Sequence, residues 1–191
     1  MSDAGIAADH RAALDATRAV VARITADQWA LPTPCDDWDV RALLNHVVAG
    51  NWWAARLAAG ETIESVGTEY DGDVVGPEPT DAYDRSALAA AAAFEAPGAL
   101  DAPCAVSYGP VPGSVYAGHR FVDVLVHGWD LATATGGPSP VTPELAAACW
   151  EVVEPQMSVL RGSGMFGADQ AVPADADVTT RLLLTLGRHP A

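Results

Sequence analysis

One segment concentrates side chains that can ligate a metal or move a proton. Along Tyr116-Ala117-Gly118-His119-Arg120-Phe121-Val122-Asp123-Val124-Leu125-Val126-His127-Gly128-Trp129-Asp130-Leu131, the residues His119, Asp123, His127 and Asp130 stand four, four and three positions apart. On an α-helix that spacing sets all four on one stripe. Val122, Leu125, Val126 and Trp129 form the other side, which is apolar and suited to burial. A buried polar group without a partner costs about 1–3 kcal/mol, so such a stripe needs partners wherever it faces a core. His46, among Leu43-Leu44-Asn45-His46-Val47-Val48, is a candidate partner. His46, Asp123 and His127 together offer two imidazole nitrogens and one carboxylate oxygen. Such a three-donor set suits zinc, with nickel, iron and manganese compatible, and leaves coordination positions open to water or substrate. Blander readings stay open. Asp123 and His127 also suit an i,i+4 surface pair, His46 a satisfied core histidine, and His119 a solvent-exposed residue beside Arg120. Asp130 suits either a helix anchor or a group that orients a ligand. Trp53 lies seven residues from His46, on the same helical face, whereas Trp52 and Trp129 read as core. Arg120 could steer an anionic group. Trp53, His119, Arg120 and Asp130 are therefore the candidate substrate-side residues.

Helices must position these groups. Asp9 to Ile24 has helical spacing, with Leu14, Val20, Val21 and Ile24 near one stripe. Leu31-Pro32-Thr33-Pro34 breaks it. Asp37 or Asp39 can cap a second helix whose apolar series runs from Val40 through Val48 to about Ala59, with Gly60 as its end. Glu61 to Thr80, rich in Gly, Pro and acid, is a long connection. A third helix covers Asp81 to about Ala96, and Pro97-Gly98 stops it. A short strand is possible at Ala105-Val106. Ser114 to Ala134 forms the fourth long helix. Thr142-Pro143 starts a fifth, which runs to about Leu160, and a Gly-rich loop from Arg161 to Gly167 follows. A last short helix covers Asp177 to Leu186. There is no repeat, no phosphate-binding glycine loop after a strand and no strand–helix alternation. The expected class is all-α: a four-helix bundle with one long crossover, where metal sites form in the core from facing helices.

Composition narrows the functions. The chain has 191 residues with 10 Lys+Arg, all of them Arg, and 25 Asp+Glu, for a formal net charge of −15. Half the residues are hydrophobic and 18% are charged, too apolar for a disordered chain. A pI near 4.4 argues against nucleic-acid partners and against a polybasic membrane surface. No apolar run approaches the roughly 20 residues that span a bilayer. The N-terminus has no basic n-region of a signal peptide, and Cys35, Cys104 and Cys149 form no CxxC pair, so a reduced cytoplasmic setting is expected. One domain over 1–191 is expected, with a core of about 9–162 and an extension of about 163–191. A domain of this size buries its core without a structural metal, so a metal here would be functional.

Two stretches resemble a known family. Pro32-Thr33-Pro34-Cys35-Asp36-Asp37-Trp38-Asp39-Val40-Arg41-Ala42-Leu43-Leu44-Asn45-His46 is similar to the start of the mycothiol-dependent maleylpyruvate isomerase N-terminal domain, a member of the DinB-like superfamily. Asp123-Val124-Leu125-Val126-His127-Gly128-Trp129-Asp130-Leu131-Ala132 resembles that family's second metal-binding helix. The tail from Leu182 to Pro190 is similar to the ending of its short actinobacterial members. The resemblance implies a DinB-like up-down-down-up bundle, metal ligands at His46, Asp123 and His127, and a low-molecular-weight thiol, mycothiol, as co-substrate. It places Cys35 just before the metal helix. Two departures stand out. The family usually carries Glu where this chain has Asp123, one methylene shorter. The isomerase also has an additional C-terminal domain, whereas only about 55 residues follow Gly136 here, so maleylpyruvate isomerisation itself is not the first expectation.

The leading expectation is a metal-dependent thiol transferase, in which a metal-bound thiolate attacks a small electrophile to give a thioether or, after reversal, an isomer. Gly162 to Gly167 would serve as a lid or substrate mouth. The alternatives are a mycothiol-dependent isomerase, a bundle that sequesters a small molecule, and an interaction module with a vestigial site. No G-x-S-x-G is present and no cysteine stands beside a histidine in sequence, which argues against metal-free hydrolysis.

Overall fold

A computed structural model describes residues 3–157 and 170–190. The first helix, α1 (Asp3–Val21), starts before and stops short of its expected span. Its reach is explained by Ile6, Ala7, His10, Ala13, Leu14, Thr17, Val20 and Val21, all buried, which recur every three or four residues and extend the inward stripe one turn upstream of Asp9. Helix α2 (Val40–Ala58) starts as the sequence indicates, with the Asp39 carboxylate accepting from Ala42 N at 2.8 Å. Helix α4 (Pro79–Glu95) and helix α5 (Gly113–Thr135) complete the bundle; α5 ends at Gly136, whose φ of 69° is left-handed. Helix α1 packs on α5 and α4, and α2 packs on α4 and α5, which closes a four-helix ring.

The connection from α2 to α4 holds a four-residue helix, α3 (Ile63–Val66), with a Thr62/Ser65 capping box. It is tied down by side chains of α2. Arg41 donates to Asp73 at 2.8 Å and to the Gly76 carbonyl at 2.9 Å, while Asn45 donates to the Gly72 carbonyl at 2.8 Å and accepts from Val74 N at 2.8 Å. Between α4 and α5, β1 (Pro103–Val106) and β2 (Gly109–Pro112) form an antiparallel hairpin with Cys104 opposite Val111. The hairpin extends the short strand expected at Ala105-Val106; Pro103, Pro110 and Pro112 mark turns or strand edges in sequence and hide the second strand.

Two close approaches shape the bundle. A Cβ at Gly128 would overlap Thr17, whose hydroxyl donates to the Val124 carbonyl at 3.1 Å, so Gly128 allows α1 to lie against α5. A Cβ at Gly113 would overlap the Ala99 carbonyl. The buried Tyr83 hydroxyl donates to the Leu14 carbonyl at 2.8 Å and joins α4 to α1.

By internal contacts the chain divides into two units, 1–140 and 141–191. The bundle and hairpin make up the first. In the second, α6 (Pro143–Val153) begins with Thr142 accepting from Leu145 N, continues as a 3-10 turn (Glu154–Gln156), and packs on α7 (Val178–Thr185). The Arg181 guanidinium lies 5.8 Å from the Trp150 ring centroid. The expected end of the fifth helix near Leu160, the Gly162 to Gly167 lid and the expected boundary at 162–163 lie outside the described residues. Among the described residues no helix is long and apolar enough to cross a membrane.

Candidate metal centre

Helices α2 and α5 each present part of the site. His46 follows Asp39 by two turns of α2, and Asp123 and His127 sit one turn apart on α5. His46 Nε2 lies 3.3 Å from Asp123 Oδ1, and His127 Nε2 lies 3.6 Å from the same oxygen. All three donor atoms fall within 4.8 Å of one another. Asp123 thus reaches both rings despite being a methylene shorter than Glu. The donor types suit a divalent cation, and the arrangement leaves part of a coordination sphere for water or substrate.

Each donor is held from behind. His127 Nδ1 donates to Asp130 Oδ2 at 3.0 Å, which leaves the Nε2 lone pair facing Asp123 and His46. Asp130 is fully buried, and the His127 side chain is 12% exposed. Asp123 Oδ2 accepts from Arg120 Nη1 at 2.9 Å, which leaves Oδ1 for the centre. Burial pushes the Asp123 carboxyl up, but the Arg120 guanidinium, then His127 and His46, outweigh it and hold the group well below the usual carboxylate range. The Trp38 ring stacks on His46, with centroids 4.6 Å apart, and meets His127 edge-on at 5.9 Å.

Behind Arg120 a polar chain crosses the bundle. Arg120 Nη2 donates to Asn51 Oδ1 at 3.3 Å, Asn51 Nδ2 donates to Ser86 Oγ at 3.3 Å, and Ser86 Oγ donates to the Tyr83 carbonyl at 2.9 Å. Gly50 leaves room for Arg120: a Cβ there would lie 2.5 Å from Nη1. Among the described residues Arg120 Nε and both ring nitrogens of His10 are buried without a hydrogen-bond partner.

The structure brings His46, Asp123, His127, Asp130 and Arg120 together. Arg120, a candidate for steering an anionic group, is buried and pairs with Asp123 and Asn51. Asp130 holds the His127 ring. His119 pairs with the Tyr108 hydroxyl at the hairpin, and Trp53 meets Tyr70 edge-on at 6.3 Å. Spacing along one helix could not reveal Trp38, Asn51 or the place of Cys35. Cys35 Sγ lies 3.3 Å from Asp130 Oδ2 and 3.8 Å from His127 Nδ1, so a cysteine does stand beside a histidine in space. The signal available was the Pro34-Cys35-Asp36-Asp37-Trp38 lead-in to α2.

Residues 10–132 match the family model described as the mycothiol maleylpyruvate isomerase N-terminal domain. The chain belongs to this family. The match runs from within α1 to within the last turn of α5 and includes every residue of the centre, and the family fold is the all-α, DinB-like bundle seen here. The chain is similar to the uncharacterized proteins MT0763 and Rv0738 of Mycobacterium tuberculosis strains CDC 1551 and H37Rv, each 39% identical over 184 residues, covering 94% of this chain and 95% of the relative. It also resembles the uncharacterized protein Rv0036c of strain H37Rv, at 27% identity over 166 residues, covering 76% of this chain and 62% of the relative. No solved structure matches it significantly. The family is a mycothiol-related one.

Proposed function

We propose that the protein is a divalent-metal-dependent S-transferase that joins a mycothiol-type thiol to a small electrophile. The observation that carries this is the convergence of His46 Nε2, Asp123 Oδ1 and His127 Nε2 within 4.8 Å. These residues would hold the metal, zinc first, with nickel, iron and manganese compatible. A divalent ion there supplies Lewis acidity and lowers the pKa of a thiol it holds from about 8.5. The protein's own groups set the stage. Asp130 keeps the proton on His127 Nδ1, Arg120 occupies Asp123 Oδ2 and limits that carboxylate to one free oxygen, and Trp38 restricts the His46 ring. In the reaction a sulfur–carbon bond forms between the thiol and an electrophilic carbon. The thiol proton passes to solvent, and the leaving group departs with its bonding pair. An isomerase reading is favoured by the family's description: the same addition, followed by loss of the thiol, returns an isomer. A sequestering bundle would bind without turnover.

Mass spectrometry of mixtures of the metal-loaded protein, mycothiol and candidate electrophiles tests this. The expected result is a thioether of summed mass less the leaving group, formed by the parent protein and lost in His46→Ala. A product of unchanged mass that needs the thiol would replace the transferase by the isomerase. Stoichiometric ligand binding with no product across the panel would overturn both.

A further inference from the structure

His127 faces a second group of donors with its other nitrogen. Cys35 Sγ, His127 Nδ1 and Asp130 Oδ2 lie within 4.8 Å of one another, and no part of this group except His127 belongs to the first. We propose that Cys35, His127 and Asp130 form an alternative cation position, thiolate-bearing and selective for soft divalent ions, which competes with the His46–Asp123–His127 position for the same imidazole.

Cys35 lies in a tight turn ahead of α2. Its backbone is fixed by the residues around it: Cys35 N donates to Thr33 Oγ1 at 3.1 Å, the Thr33 hydroxyl reaches the Cys35 carbonyl at 3.2 Å, and Trp38 N donates to that carbonyl at 2.9 Å. This turn aims the half-exposed Sγ at the buried Asp130 carboxylate. The three donors are of different types, a sulfur, an imidazole nitrogen and a carboxylate oxygen, all accepted by zinc and, for the sulfur, preferred by softer ions. Hard ions gain little from the thiolate and favour the nitrogen–oxygen group.

Competition follows from the chemistry of imidazole. A neutral ring has one lone pair and one N–H. With the proton on Nδ1, held by Asp130, the ring offers Nε2 to the first group. With the proton on Nε2 it offers Nδ1 to the second. Loading the second position therefore moves the ring proton from Nδ1 to Nε2 and releases the Cys35 thiol proton to solvent. One cation at a time uses His127, and the softness of the ion decides which position it takes. The inference stands apart from the proposed reaction, since it needs neither a thiol co-substrate nor turnover.

Cadmium is the probe, because a cadmium–thiolate bond gives an ultraviolet charge-transfer band. The full-length protein, stripped with chelator, is titrated with cadmium alone, beside His46→Ala, Cys35→Ser and His127→Ala. The expected result is a band that saturates with one equivalent in the parent and in His46→Ala and that is lost in Cys35→Ser and His127→Ala. Circular dichroism confirms folding of each variant. In parallel, cadmium should protect Cys35 from iodoacetamide in the parent, read by peptide mapping, so that a misfolded variant leaves the test intact. No band and no protection in the parent would overturn the proposal, as would a band that survives in folded Cys35→Ser. Failure of turnover with the band present would refute the transferase reading alone.

Discussion

At the scale of single residues, the centre depends on groups that fix the orientation of the donors. Asp130 is the clearest, because its buried carboxylate decides which nitrogen of His127 is free. Asp130→Asn should lower affinity for a zinc-like ion at the His46 group about 10–100-fold, as loss of such partners commonly does. Competition against a chelating dye measures it, and unchanged affinity would remove Asp130 from the account. His10 is a different case. Burial, then the positive charges of Arg120 and Arg11, push its pKa down to about 3, and neither ring nitrogen has a partner. The folded state therefore resists protonation that the unfolded chain accepts near 6.5. The His10 contribution is present in full above about pH 6.5 and is lost as pH falls toward 3, at a slope of about 1.4 kcal/mol per pH unit. Urea unfolding from pH 7 to 4 should show this slope in the parent and a shallower one in His10→Phe. Equal slopes would contradict it. The donors themselves were legible in the sequence, because Asp123 and His127 are one turn apart and His46 lies in an apolar helix. Cys35 and Trp38 were not, since their place depends on how the turn from Pro32 to Asp39 folds back on α5, which no local spacing encodes.

At the scale of elements, the helices are placed by small residues at crossings. Gly50 lets α2 approach the Arg120 guanidinium on α5. Gly50→Ala should push Arg120 off Asp123 and weaken metal binding more than it weakens the fold; isothermal titration beside thermal unfolding separates the two. Gly113 meets the Ala99 backbone, which cannot move aside as a side chain can. Gly113→Ala should cost about 1–3 kcal/mol in chemical denaturation, the usual range for an overpacked site. The starts of α2 and α6 were readable from Asp37 or Asp39 and from Thr142-Pro143, because caps are local chemistry. The hairpin and α3 were less so. The prolines of the hairpin read as turn residues and hide its second strand, and α3 is only four residues long, too short for a helical period to show.

At the scale of the molecule, the charge balance matters more than any one surface pair. Exposed pairs such as Arg18–Asp84 at 2.9 Å contribute about 0–1 kcal/mol each, whereas 25 acidic side chains face only 10 arginines. Net repulsion should dominate, so Tm should rise as sodium chloride screens it; a fall would assign the surface pairs more weight. The family match at residues 10–132 and the convergence of α2 and α5 meet in one place, the group His46, Asp123 and His127. Elemental analysis of the protein purified without a metal-binding tag, beside His127→Ala, tests that convergence most directly. About one equivalent of divalent metal in the parent and almost none in the variant is the predicted result. No metal in either after reconstitution, or equal metal in both, would contradict it.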